Sequence, residues 1–163
     1  MEAEKYLVGR YNVTVDPQNR LIIPTIWQQS IGERVIVIRD LSESGEHYLT
    51  ALPNEAFQSM MSDFSHVPAT STVIADETRD ILQYACDCRF DSKRRISVNS
   101  DLIEYANIHG SAVLTSNVRS SKPIFEIWDP AALARNNEAN NERKRREKLE
   151  RNAEEVKRLS QKD

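Results

Sequence analysis

The sequence predicts an α+β protein, mainly β, built from one small unit used twice. Shifting the chain by 75 residues lays Tyr11, Val13, Asp16, Arg20 and Leu21 over Cys86, Cys88, Asp91, Arg95 and Ile96, so an Asp-x-x-x-Arg turn recurs. Ahead of each turn apolar residues alternate with polar ones, at Tyr11, Val13 and Val15 and again at Cys86, Cys88 and Phe90, which is the period of a half-buried strand. With 163 residues in all, neither copy holds enough apolar surface to stand comfortably alone, so the two are expected to share a sheet or pack face to face.

Each copy then reads strand, tight turn, strand, short helix, strand, strand. Leu21-Ile22-Ile23 falls on Ile96-Ser97-Val98 as the second strand, and Thr25 falls on Ser100 at the start of a helix. Thr25 with Gln28 has capping-box spacing, and Ser100 precedes Leu102, Ile103 and Ala106 in the same way. Val35–Ile38 and Ala112–Thr115 supply the third strands, and Tyr48–Leu52 and Ile124–Trp128 the fourth. A shift of 76 sets Leu52-Pro53 on Trp128-Asp129.

Between the copies, Phe57, Met60, Met61 and Phe64 recur at helical spacing from a start near Pro53-Asn54, and the stripe is wide enough to cover either the sheet or a neighbouring subunit. Ser65–Thr72, with Pro68 and several hydroxyl residues, reads as a loop, and Thr78–Ala85 as a second helix. Past Arg135 the composition changes. Asn136–Asn141 reads as a linker, followed by a solvated helix with favourable pairs Glu142/Arg146, Glu147/Arg151 and Glu154/Arg158, worth ~0.2–0.5 kcal/mol each. Leu149, Ala153, Val156 and Leu159 make too short an apolar stripe for a coiled coil.

Composition excludes several classes of function. The four glycines are isolated, so the chain has neither a phosphate-cradling loop nor a nucleophile elbow. Cys86 and Cys88 align with Tyr11 and Val13, an inward-facing pair, and are read as small core side chains rather than as metal ligands. His47, His66 and His109 are scattered, so no cofactor, metal centre or catalytic triad is expected, and an enzyme is the weakest reading. Trp27 and Trp128 sit within apolar segments and are read as packing residues. The aliphatic runs are far short of a membrane span, and Met1–Lys5 lacks the layout of a leader, so a cytoplasmic protein without a membrane partner is expected. Net charge is −3, split into −6 over residues 1–133 and +3 over 134–163, so any polyanion must be held by local clusters.

One such cluster lies in the turns. An arginine at a tight bend can fork onto a phosphate or a guanine edge, or it can pair with its own aspartate and pin the hairpin. Asp16 and Asp91 are the turn-structural residues, and Arg20, Lys93, Arg94 and Arg95 are the candidate DNA contacts. Lys93-Arg94-Arg95 is the sole basic triplet before the tail, where Arg143-Lys144-Arg145-Arg146 is diluted by flanking glutamates and reads as a solvated face.

The same residues resemble the MraZ family of bacterial transcriptional regulators. The likeness runs over residues 7–133, from Leu7-Val8-Gly9 through Asp16…Arg20-Leu21-Ile22-Ile23-Pro24, Thr78–Ala85 and Phe90–Ile96 to Phe125-Glu126-Ile127-Trp128-Asp129. It implies two tandem AbrB/SpoVT-like swapped-hairpin units, 7–57 and 84–133, forming a pseudo-symmetric β-barrel-like core with short helices. Residues 58–83 connect the units and 134–163 form a charged C-terminal tail helix. It further implies a ring-like homo-oligomer on the nucleoid, binding double-stranded DNA at promoter direct repeats of the division and cell-wall gene cluster. The family's turn arginine falls on Arg20 and Arg95. Its turn glycine is replaced by Asn19 and Arg94, and its first-copy lysine by Gln18. Since arginine tolerates positive φ poorly, either the second turn is reshaped or the position needs no positive φ. An AbrB-type antitoxin or nucleoid-associated protein, and an oligomeric scaffold that has lost DNA binding, are the rival readings.

Overall fold

The computed structural model describes residues 6–68, 70–119 and 121–162; Met1–Lys5, read above for a leader, lies outside them. The chain is α+β with antiparallel strands and, among the described residues, five helices. The first half runs β1 Arg10–Thr14, β2 Arg20–Ile22, α1 Thr25–Ile31, β3 Arg34–Leu41 and β4 His47–Pro53. After α2 Asn54–Ser65 and α3 Thr72–Tyr84, the same series repeats as β5 Cys86–Arg89, β6 Arg95–Ser97, α4 Ser100–Tyr105, β7 Ser111–Arg119 and β8 Lys122–Trp128. The long α5, Pro130–Ser160, follows.

The halves exchange strands. The main sheet has the order β1-β7-β8-β4-β3-β5, so the first strand of each half lies against the third strand of the other, and β2 pairs with β6 in a separate two-stranded ladder. Swapping the halves reverses this order onto itself, which is a pseudo-twofold relation about the β4–β8 pairing. The ladder of the described residues does not close into a barrel: β1 and β5 are its edges.

The core lies between this sheet, the β2–β6 ribbon and the short helices α1 and α4. Leu21, Ile23, Trp27, Ile96, Leu102 and Phe125 are among its buried members. Trp27 meets Tyr11 edge-on at 5.1 Å, and its Nε1–H donates to the Val8 carbonyl. Trp128 stacks on Tyr48 at 4.2 Å in a second cluster beneath α5. Both tryptophans are therefore spent on packing.

Phe57 is buried and Met60 and Met61 half-buried against Ile36, Ile38, Leu52 and Ile124, so the helical stripe of α2 covers the sheet. The helix α3 starts at Thr72, six residues ahead of the expected Thr78, because the Ser71 hydroxyl accepts from Ile74 N–H and caps it. It is held to β3 by Arg39, whose guanidinium lies 4.2 Å from both the Tyr84 and Tyr105 rings.

Three local expectations are corrected. No capping box forms at α1: Pro24 is its cap residue, and the Gln28 amide is taken by the Ile23 and Arg94 carbonyls. Asn136–Asn141 is not a linker but part of α5, capped by the Asp129 carboxylate on Ala132 N–H. Asn136 is buried and accepts from the Ser44 hydroxyl at 2.8 Å, while Arg135 forks onto Glu46 and Arg143 pairs with Glu43. Docking on the β3–β4 loop thus carries the helix through a run of weak helix formers. The three expected Glu/Arg pairs of the tail do not form among the described residues; Arg145 pairs with Glu142 and Arg143 with Glu147.

Candidate nucleic-acid interface

The two Asp-x-x-x-Arg turns have one geometry. In the first, Asp16 Oδ1 accepts from the backbone N–H of Gln18 and Arg20, both at 2.9 Å, while Oδ2 accepts from Arg20 Nε at 2.7 Å. In the second, Asp91 Oδ1 accepts from the N–H of Lys93 and Arg95 at 2.8 and 2.9 Å, and Oδ2 from Arg95 Nε at 2.8 Å. Backbone bonds close both turns identically, from Asp16 N–H to Arg20 O and from Asp91 N–H to Arg95 O. These bonds favour the ionised carboxylates: the Arg20 N–H holds Asp16 below the ordinary value of 3.8, and the Arg95 N–H does the same for Asp91.

The fourth position of each turn is left-handed, with φ 59° at Asn19 and 62° at Arg94. Neither alternative raised by the missing glycines therefore holds: the second turn keeps the shape of the first, and Arg94 enters the strained region. Its surroundings fix it there. The Arg94 carbonyl accepts from Ile23 N–H, and its guanidinium donates to Thr25 Oγ1 at 2.6 Å. Asn19 repeats the pattern, its carbonyl accepting from Val98 N–H and its amide donating to Ser100 Oγ at 3.2 Å. Each turn is thus clipped to the start of the other half's neighbouring helix. This role of Thr25 and Ser100 was not anticipated, although their match under the 75-residue shift was the available signal.

The β2–β6 ladder joins the turns. Arg20 pairs with Ser97, Leu21 with Ile96 and Ile22 with Arg95. Leu21 and Ile96 are buried, so the alternation of a strand puts Arg20, Ile22, Arg95 and Ser97 on the other side, where Ile22 is 56% exposed. Arg20 and Arg95 are diagonal neighbours there, at roughly 7–8 Å by strand geometry and somewhat less between their Cβ atoms. Both are half-buried and both use Nε on their own aspartate; among the described residues their terminal guanidinium nitrogens make no hydrogen bond. Lys93 is exposed at the tip of its turn and forms no ion pair among the described residues, whereas Gln18 occupies the same place in the first turn. Positive charge is therefore concentrated at the second turn, on Lys93 and Arg95, with Arg94 committed to Thr25.

The other sites singled out in the sequence stay apart from this face. In the tail cluster, Arg143 and Arg145 are ion-paired. Cys86 and Cys88 are buried in the main core. His47 stacks on Tyr105 and His109 bonds Asn107. Beneath α5, outside any sequence expectation, lies a polar cleft of about 510 Å³, with Asp40 paired to Arg119 and Glu126 accepting from Thr115, Asn117 and Trp128. Among the described residues no helix is long and apolar enough to cross a membrane.

No protein-family model matches the chain. Curated relatives do. A protein of Limosilactobacillus fermentum named "Transcriptional regulator MraZ" is 30% identical over 122 residues, covering 75% of this chain and 80% of its own length. One of the same name from Desulfitobacterium hafniense is 30% identical over 127 residues, covering 78% and 83%. A third, from Leuconostoc citreum, is 29% identical over 121 residues, covering 74% and 79%.

Proposed function

This chain belongs to the MraZ family of transcriptional regulators, and from that premise we propose that it regulates transcription by binding promoter DNA through its two Asp-x-x-x-Arg turns. The observation that carries the reading is the β2–β6 ribbon, which sets Arg20 and Arg95 side by side on its outward face with their terminal nitrogens unbonded. A two-stranded ribbon is narrow enough to enter the major groove, where a guanidinium can fork onto a guanine or a phosphate. In this reading the aspartates orient the arginines through Nε, and Lys93 with Arg95 provides the stronger phosphate anchor.

Residues 7–57 and 84–133 act as two AbrB-like units whose hairpins are exchanged, 58–83 connects them, and 134–163 is a charged tail. The chain works as a ring-like homo-oligomer on the nucleoid, and its targets are direct repeats in the promoter of the division and cell-wall gene cluster. One subunit offers few cations, so affinity comes from repetition, which raises avidity by about 10²–10⁴ when repeat spacing meets successive subunits.

Gel-shift titration against one repeat and against tandem repeats, at several salt concentrations, tests this. Tandem repeats should bind far more tightly, and Lys93→Ala with Arg95→Ala should weaken binding and lower the salt slope by roughly 1 for each phosphate no longer neutralised. Equal affinity for single and tandem sites refutes the avidity mechanism, and an unchanged slope removes the second turn from the interface. A scaffold without DNA binding is the second reading, favoured by the pairing of each arginine with its own aspartate; absence of any shift on the chain's own upstream region would establish it.

A further inference from the structure

Cys86 and Cys88 face the main core from alternate positions of β5, an edge strand of the sheet. Their sulfurs are 3.4 Å apart, and the single Cys88 thiol proton has Cys86 Sγ and, at 3.2 Å, the Ser97 carbonyl as acceptors within reach. Space filling does not demand sulfur here, since the matching positions of the first half are Tyr11 and Val13. The contact also makes the two thiols unequal. The Cys88 hydrogen bond draws the Cys86 thiol below its ordinary range, and the same contact together with burial pushes Cys88 up. Cys86 is the more exposed of the two and stands at the head of the strand. A thiol that ionises more readily than usual, in contact with a second thiol, is the arrangement of a reactive cysteine with its resolving partner.

We infer that Cys86 and Cys88 form an oxidant-reactive dithiol that closes to an intrastrand disulfide. With hydrogen peroxide as oxidant, the Cys86 thiolate attacks one peroxide oxygen, the O–O bond breaks, and the departing hydroxide takes up a proton to leave as water. Cys88 sulfur then attacks the Cys86 sulfenic sulfur, the S–O bond breaks, and the hydroxyl leaves with the Cys88 proton as a second water. Two thiols lose two electrons and two protons, and one peroxide becomes two waters. To bond, the sulfurs close from 3.4 Å to about 2.05 Å and the Cβ atoms to about 3.8 Å, nearer than the roughly 6.5 Å of alternate positions in an extended strand, so β5 bends at Cys86–Cys88 and Cys88 leaves the Ser97 carbonyl. Ser97 is the ladder partner of Arg20, and Cys88 lies three residues before Asp91. Oxidation therefore acts on the ribbon and on the second turn together; that it weakens DNA binding rests on the function proposed above.

The test treats the full, reduced chain with hydrogen peroxide, then reads intact mass and denatured thiol titre. A loss of about 2 Da with both thiols consumed, reversed by dithiothreitol, is expected. Cys88→Ser should instead gain one oxygen as a sulfenic acid trappable by dimedone, and Cys86→Ser should react about tenfold more slowly. Two thiols still titrating after peroxide, or oxygen adducts without the 2 Da loss, overturn the inference, and the wild-type result decides alone if a variant does not fold. Gel shifts on the two redox forms separate the failures. Equal, tight binding by both forms refutes the regulatory consequence. Binding by neither form tells against the function proposed above, while the mass still decides the chemistry.

Discussion

Replacing Arg94 tests whether its left-handed backbone is a cost the second turn carries. Arg94 sits at φ 62°, yet the turn keeps every hydrogen bond of its counterpart at Asn19. A side chain in this region costs roughly 1–2 kcal/mol that glycine escapes. Against this, glycine loosens the unfolded chain by about 0.4–1 kcal/mol. Both Arg94→Gly and Arg94→Ala lose the exposed bond to Thr25, worth about 0.5 kcal/mol at the low end of the usual range. The bond cancels between the two variants, leaving glycine more stable than alanine by about 0.8 kcal/mol, with a range of about 0–1.6. For a chain of this size that is about 2–3 °C in Tm. Urea unfolding at constant m measures the difference directly. If Arg94→Ala exceeds Arg94→Gly in stability, the backbone strain is not there and the turn must relax in solution. At Asn19 the same pair should differ in the same direction, but Asn19→Gly should gain less over wild type, because asparagine enters this region at lower cost.

The turn carboxylates give a pH signature. Their folded values are depressed, so the stability they provide is present above the ordinary carboxylate range and is lost as pH falls from 3.8 through the lowered values. Asp16→Asn and Asp91→Asn should flatten the pH dependence of stability below about pH 4, and acid-unfolding curves parallel to wild type would exclude the effect. In α5, deletion of 141–163 should leave Tm within about a degree of wild type, because the deleted residues described in the structure are exposed and only Arg143 reaches the body. Asn136→Ala, by contrast, should cost about 0.5–1.5 kcal/mol in a chemical melt through the part-buried Ser44 bond.

The duplicated unit was legible because both copies keep the aspartate and arginine that build the turn, and because the first strand of each copy alternates cleanly. Which strand meets which was not, since alternation marks a buried face and says nothing of the partner across it. Tyr11 and Val13 read alike whether β1 pairs within its own half or with β7, as it does. Asn136–Asn141 misled for a different reason: asparagine is a weak helix former, and the contacts of Asn136 and Arg135 with Ser44 and Glu46 lie about ninety residues away along the chain. In the candidate site, that each aspartate can reach its arginine follows from spacing, which leaves open whether the guanidinium pairs inward or points out. The positive φ at Arg94 does not, because it depends on Ile23, Thr25 and Gln28 from the other half gripping that residue.

The strand exchange also governs when the molecule can be finished during synthesis. Thr14 is paired with Ser111, so the opening strand must wait for about a hundred further residues, or on the order of 5–20 s at ordinary elongation rates. Until then its hydrogen-bonding groups are an open template on the ribosome, as are those of β3 that await β5. A nascent chain of this design is therefore most exposed to chaperones, and to wrong pairing with a neighbouring nascent chain on the same message, throughout the translation of its second half.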